Sequence, residues 1–433
     1  MIMPSRKISE IIVTLKSLER DLSLCMRCGM CQSVCPLYRE TRREPDVARG
    51  KIILVDALKN GVFEEIHGVL ERLQRCLLCG ACEANCPSGV KCLEIFIKAR
   101  SILYAYEKLS LWERLFLRKI LSAPERFHSV MNILALCQPL VFAGTDSDIG
   151  TVHARFPIAF FKNRHLMPLA TTPFRDRISS LDIPAAASHE RVGIFVGCLI
   201  DRIFPSVAES MIEVLKIKKM GIFIPEDQVC CGIPAISLGD IDAFRSLIRQ
   251  NVKAFSGKID VLVTGCATCS MVIKKLWPLM VADESASVKE SVYSLSGKLM
   301  DIVQFLATRF DFGESRRVSH AQRIKVTYHD PCHLKKSLGI WREPRGILKS
   351  LSGYEFVEMT ESDSCCGFGG SFGLQYGDIS ESIGERKVTN IIQSGAEIVS
   401  TACPGCMLQI AGGLSKAGAN VQVKHIVELF RGL

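Results

Sequence analysis

The spacing of apolar residues changes character along this chain. Over residues 52–73, Leu54, Leu58, Val62, Ile66, Leu70 and Leu73 recur at three- and four-residue steps, which predicts one helix with a single buried face. Residues 92–106 predict a second helix. Residues 109–143 interleave Trp112, Leu115, Phe116 and Leu117 with Arg114, Arg118 and Lys119, the texture of a packing or interfacial helix. Its most apolar part, 131–143, is expected to pack and to stop at Gln138-Pro139. Pro157, Pro168 and Thr171-Thr172-Pro173 then mark an irregular connection. From Arg191 onward, short β-branched runs at 191–196, 221–224, 260–264, 324–328, 354–359 and 397–401 alternate with helical stretches such as 207–219 and 243–255. That alternation predicts βαβ units and a mainly parallel sheet.

Composition changes the picture through one residue type. The chain has 433 residues, 48% of them hydrophobic, enough for about three domains with cores, and it has 20 cysteines. Its first 24 residues show no continuous apolar segment and no small-residue cleavage site, so no secretory signal is read. Clustered cysteines in a reducing compartment serve metal or redox chemistry rather than disulfides. The expected location is the cytoplasm, or the inner face of the membrane as a peripheral protein. The net charge of +9 falls mainly on the first 187 residues. It either offsets negative thiolate-bound groups or prepares a surface for an acidic partner. Basic residues form neither long runs nor aromatic-spaced patches, which argues against nucleic acid. No run of 18 apolar residues argues for a membrane span.

The cysteines form two systems. Cys25, Cys28, Cys31 and Cys35-Pro36 recur as Cys76, Cys79, Cys82 and Cys86-Pro87 at a constant offset of 51 residues. This spacing resembles the fingerprint of bacterial two-cluster ferredoxins, in which the fourth cysteine of each run serves the other cluster. Three cysteines at i, i+3 and i+6 wrap one loop around iron, and the fourth comes from the opposite run. The expected ligand sets are Cys25, Cys28, Cys31 and Cys86 for one 4Fe-4S cubane, and Cys76, Cys79, Cys82 and Cys35 for another. Zinc suits paired Cys-x-x-Cys units, but four cysteines per run closed by proline fit it poorly. Gly29, Gly80 and Gly89 either let backbone N–H groups approach the clusters or simply make turns.

The second system is also a duplication. Gly197-Cys198, Cys230-Cys231-Gly232 and Cys266-x-x-Cys269 recur as Pro331-Cys332, Cys365-Cys366-Gly367 and Cys403-x-x-Cys406, offset by 134 to 137 residues. Adjacent cysteines diverge too much to chelate one ion, but they can serve different irons of one cluster. Cys92 and Cys137 stand outside both systems and are expected to be buried small apolar residues. His329 and His333 flank Cys332; they either ligate iron or relay protons, or belong to a strand-end turn. The run from Gly367 to Gly373 follows a cysteine pair rather than opening a nucleotide-binding βαβ unit, so it is expected to be a tight turn. No flavin or nicotinamide site is read.

The doubled Cys…Cys-Cys-Gly…Cys-x-x-Cys pattern resembles the cysteine-rich CCG domain of heterodisulfide reductases. It is similar, too, to iron–sulfur subunits of glycolate oxidase, D-lactate dehydrogenase and anaerobic glycerol-3-phosphate dehydrogenase. His329-Asp330-Pro331-Cys332-His333-Leu334, Arg342-Glu343-Pro344-Arg345 and Cys365-Cys366-Gly367-Phe368-Gly369-Gly370 carry the likeness, as does the segment from Arg75 to Val90. The resemblance implies an α/β chain with an N-terminal α-helical two-cluster ferredoxin domain and two duplicated CCG domains. The expected boundaries are 1–108, a helical connection over 109–187, then 188–322 and 323–433. It implies up to two further, non-cubane 4Fe-4S clusters, one on Cys198, Cys230, Cys231, Cys266 and Cys269, the other on Cys332, Cys365, Cys366, Cys403 and Cys406. The implied role is electron transfer from a FAD-linked glycolate or D-lactate dehydrogenase subunit to a quinone, ferredoxin or electron-transfer flavoprotein. The alternative it implies is catalytic reduction of a disulfide at paired CCG clusters.

Overall fold

The helix Cys92–Tyr106 buries residues nearly all round, among them Leu93, Ile95, Phe96, Ile97, Ala99 and Leu103. A helix apolar on all faces belongs at the centre of a bundle, and it packs against Ser5–Leu15, Ala48–Lys59 and Ile66–Gln74. The computed structural model describes residues 5–62, 66–107, 110–145, 147–156, 164–186, 189–310 and 323–431. Pro157 and the expected boundaries at 108, 187 and 322 lie outside the described residues. The chain forms two compact units, the first comprising Met1–Lys119, Gly232–Phe244 and Gly367–Ile383.

In this first unit the single helix expected over 52–73 is two helices, Ala48–Lys59 and Ile66–Gln74. The break follows Asn60, where Gly61 adopts φ +67° and Val62 points outward at 72% exposure. The first of the two turns Ile52, Val55 and Leu58 inward, so that of the residues the spacing picked out there Leu58 is buried and Leu54 is not. The short helices Ile233–Leu238 and Ser371–Gln375, each just after a Cys-Cys-Gly, complete the unit. Arg100 Nη1 donates to the Ser237 carbonyl at 2.7 Å, and Tyr104 Oη lies 3.3 Å from Asp240 Oδ2. Gly239 is obligatory there: at φ +98°, an added Cβ would meet the Arg100 carbonyl at 2.8 Å.

The second unit, Ile120–Cys231, Arg245–Cys366 and Gly384–Leu433, carries the strands. A hairpin pairs β1 (Phe142–Gly144) with β2 (Val152–Ala154). The first sheet has the order β3-β5-β4-β6-β7, built from β3 (Leu181–Ile183), β4 (Arg191–Ile194), β5 (Gly221–Ile224), β6 (Val261–Thr264) and β7 (Leu299–Asp301). Only β3 runs antiparallel to its neighbour. The second sheet is wholly parallel, in the order β11-β10-β8-β9, from β8 (Ile324–Tyr328), β9 (Tyr354–Phe356), β10 (Ile398–Thr401) and β11 (Gln422–His425). Without β3 the two orders coincide, so the cysteine duplication is a duplication of fold. The chain is α/β with an N-terminal helical ferredoxin segment, as the sequence implied. β5, β6 and β10 are buried along their whole length, which is why β5 and β6 read as nearly continuous apolar runs, while β10 also buries Ser400 and Thr401.

The expectation for 131–143 fails. The helix Pro124–Val141 continues through Pro139, which falls in its last turn and costs only one backbone bond. It buries none of its residues, and Ile133, Leu134, Leu136 and Leu140 are 59, 51, 80 and 72% exposed. Cys137 lies on it and is exposed rather than buried. Among the described residues no helix is long and apolar enough to cross a membrane.

Candidate metal centres

The two ferredoxin runs wind alike. Arg27 and Leu78 take left-handed φ of 58° and 54°, and Gly29 and Gly80 follow at 87° and 73°. Each Cys-x-x-Cys therefore curls into a loop before a short helix, Met30–Val34 or Ala81–Ala84. Non-glycine residues held in this conformation mark segments whose surroundings over-determine them. Cys25, Cys28, Cys31 and Cys86 line one small cavity of about 30 Å³, together with Cys82 and Cys92. Cys35 lies near Cys76 and Cys79 instead, and burial pushes its thiol up to about 12. Each fourth cysteine thus lies with the opposite run.

Cys92 was placed by sequence reasoning outside both systems. It is indeed buried, at 3% exposure, but it hydrogen-bonds the Cys82 thiol, and that contact with burial pushes Cys82 well up. Only the fold brings this thiol to the cavity; its position at the head of Cys92–Tyr106, six residues beyond Cys86, was the available signal.

Two buried cations flank Cys35 and Cys76. Lys51, 1% exposed, donates to the carbonyls of Pro45 (3.4 Å) and Asp46. Arg100, also 1% exposed, donates to the carbonyls of Leu73, Cys76 (3.0 Å) and Ser237. Burial lowers both groups, and the sulfurs of Cys76 and, for Lys51, Cys35 oppose that shift. Cations set deep against sulfur suit a thiolate-held group of negative net charge, because a buried charge requires compensation. None of the twenty cysteines is in a disulfide. The donor set therefore fits iron–sulfur clusters, which supply one-electron transfer.

In the second unit every cysteine group follows a strand. Cys198 and Cys332 succeed β4 and β8, the doublets succeed β5 and β9, and Cys266 and Cys403 succeed β6 and β10. In a sheet ordered second-first-third-fourth, the crevice beyond the first and third strands is where open α/β folds bind ligands. Gly232 and Gly367 adopt φ of 96° and 91°, turning the chain after each doublet. The first doublet is clamped through its backbone: Asn251 Nδ2 donates to the Cys230 carbonyl at 3.1 Å, and Trp277 Nε1 to that of Cys231 at 3.0 Å. The run after the second doublet is the expected tight turn, with Gly369 and Gly370 at φ +55° and +61°.

Six thiols drawn from the two repeats, Cys231, Cys269, Cys266, Cys403, Cys406 and Cys366, form one run. Cys198 Sγ lies 3.8 Å from Cys230 Sγ, and Cys366 Sγ lies 3.5 Å from Cys406 Sγ. Cys269 hydrogen-bonds both Cys231 and Cys266, which with burial raises its thiol well above the usual range. Cys266 and Cys406 both converge on Cys403, and their hydrogen bonds hold that thiol well below it. Thr268 Oγ1 lies 3.6 Å from Cys403 Sγ and 3.0 Å from His333 Nδ1. Cys266 of one repeat and Cys403 of the other thus meet where the copies join. Cys332 opens a π-turn, His333–Ser337, and Cys365 is buried beside Cys366. His329 is 1% exposed, and a ring nitrogen of it lies within 4.8 Å of both Cys366 and Cys406 Sγ. Burial and Lys387 lower this imidazole to about 3, so it is neutral at physiological pH.

Known proteins share both systems. A model of the 4Fe-4S dicluster domain matches residues 21–90, and a model of the cysteine-rich CCG domain matches residues 192–274 and 326–411. The chain is 30% identical over 426 residues to the probable glycolate oxidase iron-sulfur subunit of Bacillus subtilis, spanning 95% of this chain and 94% of that one. It is 38% identical over 240 residues to a subunit of the fumarate reductase (CoM/CoB) of Methanothermobacter marburgensis, 55% of this chain and 45% of the other. Lactate utilization protein A of Geobacillus kaustophilus is 30% identical over 239 residues, 55% of this chain and 98% of its own length. Helical dicluster segment, doubled CCG repeat and near-full-length similarity agree: the chain belongs to the family of glycolate oxidase iron–sulfur subunits.

Proposed function

We propose that this chain is the electron-transfer subunit of an oxidoreductase complex. A FAD-linked subunit oxidises a 2-hydroxy acid, glycolate or D-lactate, and this chain relays the electrons to a quinone or another acceptor. Cys25, Cys28, Cys31 and Cys86 hold one 4Fe-4S cubane, and Cys76, Cys79, Cys82 and Cys35 hold a second. Cys198, Cys230, Cys231, Cys266 and Cys269, and Cys332, Cys365, Cys366, Cys403 and Cys406, hold a cluster each in the domains over 188–322 and 323–433. The observation carrying this reading is the uninterrupted run of thiols from Cys231 through Cys269, Cys266, Cys403 and Cys406 to Cys366. The exposed apolar residues of Pro124–Val141 suit burial against a partner subunit. The complex is placed in the cytoplasm or peripherally on the membrane's inner face.

The test is rapid mixing under anaerobic conditions. Glycolate or D-lactate should bleach the visible absorption of this chain only when the FAD-linked subunit is present. Oxidation of either acid by this chain alone, or unchanged absorption with the active flavoprotein present, would refute the reading. The meeting of Cys266 and Cys403 across the repeats favours a second reading, reduction of a disulfide between two CCG clusters. A fully iron-loaded chain that turns over no disulfide with reduced viologen would eliminate it.

A further inference from the structure

His329 and Phe195 are the same position in the two repeats. Each lies three residues before the first cysteine of its set, at the end of an equivalent strand. The Phe195 N–H donates to the Val263 carbonyl in β6 at 2.8 Å, and the His329 N–H to the Ser400 carbonyl in β10 at 2.9 Å. The rings then differ. Phe195 is fully buried, with Phe255 and Trp277 at ring-centroid separations of 6.1 and 6.4 Å. His329 is as deeply buried, yet by distance and angle neither ring nitrogen has a well-formed hydrogen bond, the Ser362 backbone being, among the described residues, the one polar group that interacts with the ring as a hydrogen-bond partner.

A buried polar group without a partner is costly, and native proteins rarely leave one. A core histidine fully satisfied by its surroundings would have a partner at each ring nitrogen, and the Ser362 backbone can serve one at most. This ring instead has two thiols, Cys366 and Cys406, within 4.8 Å of a nitrogen. Neutral imidazole is a good iron ligand, and replacing thiolate by imidazole raises the potential of an iron–sulfur centre. We propose that His329 is a nitrogen ligand to iron in the cluster of the second CCG repeat, so that the two repeats hold their clusters with different donor sets. This rests on the reading that the second repeat holds a cluster. The first repeat supplies sulfur alone, with an apolar ring where the second supplies nitrogen. The duplicated fold therefore carries two electronically distinct sites.

The test uses full-length protein prepared anaerobically with 15N-labelled histidine and reduced for pulsed electron paramagnetic resonance. Unmutated protein should show strong coupling from a directly bound imidazole nitrogen. His329→Phe, the residue of the first repeat, should lose it, and His333→Gln should keep it. His329→Cys should move one signal to lower potential with the others unchanged. Full iron content without histidine nitrogen coupling in the unmutated protein overturns the proposal without touching the electron-transfer reading, and needs no variant to fold. Coupling that survives in His329→Phe also overturns it. Iron sufficient only for the ferredoxin pair overturns both.

Discussion

Arg345 is the fastening of the turn that carries His329, Pro331 and Cys332. Its Nη1 and Nη2 grip Asp330 Oδ1 and Oδ2 at 2.9 and 2.8 Å, and its Nε donates to Glu358 Oε2 at 2.6 Å. Asp330 is 1% exposed, so Arg345→Leu strands a carboxylate in the interior. Breaking a buried pair from one side costs about 3–5 kcal/mol. The lower end applies, because Lys335 Nζ remains 3.5 Å from Asp330 Oδ2 and Ser362 Oγ 3.2 Å away. Glu358 is half-exposed and adds little. A loss of about 3 kcal/mol is a factor of roughly 150 in the folding equilibrium and about 6–12 °C in Tm for a unit of this size. Thermal unfolding followed by circular dichroism, with iron per chain measured alongside, reads the effect. Arg345→Lys, a point charge replacing a fork, should fall between. Asp330→Asn combined with Arg345→Leu should recover most of the loss, because no charge is then stranded. A Tm drop under 2 °C in Arg345→Leu, or a double variant no better than the single, would refute the reasoning.

Two other predictions concern charge. Lys51→Met removes a buried cation beside Cys35 and Cys76. At an effective dielectric of about 20, losing a unit charge a few ångströms from a cluster lowers that cluster's potential by on the order of 100 mV. Potentiometric titration should show one ferredoxin cluster moving down with the other little changed; equal shifts in both would contradict the ligand sets. Asp301 is fully buried, accepts from Ser270 Oγ at 2.7 Å and Val303 N at 3.0 Å, and is pushed by burial up to about 7. Its folded pKa exceeds the unfolded one, so its contribution to stability is full below about pH 4 and is lost as pH rises towards 7. Asp301→Asn should flatten the urea-midpoint profile across that window and gain on the parent by roughly 3–4 kcal/mol at its top. Parallel profiles would show that the carboxyl does not titrate there.

What the sequence determined by itself is what short-range covalent order can encode. Cysteine spacings of three and four residues set the two ferredoxin loops, and the offsets between copies reveal both duplications. The helix Cys92–Tyr106 and the strands β5 and β8 begin and end as their apolar runs do. The short edge strands β3, β7 and β11 left no such run, since three or four residues, half-exposed in β3 and ended by a buried aspartate in β7, carry little pattern. Tertiary structure decided which groups meet. It set Cys92 beside Cys82, joined Cys266 to Cys403 across the repeats, and brought His329 to Cys366 and Cys406. It also turned the apolar residues of Pro124–Val141 outward. The reason is one of distance: periodicity records which way each side chain faces along its own element. Which thiol or ring stands opposite depends on the order of strands and the turns between them, and those follow from the packing of residues far apart in the chain.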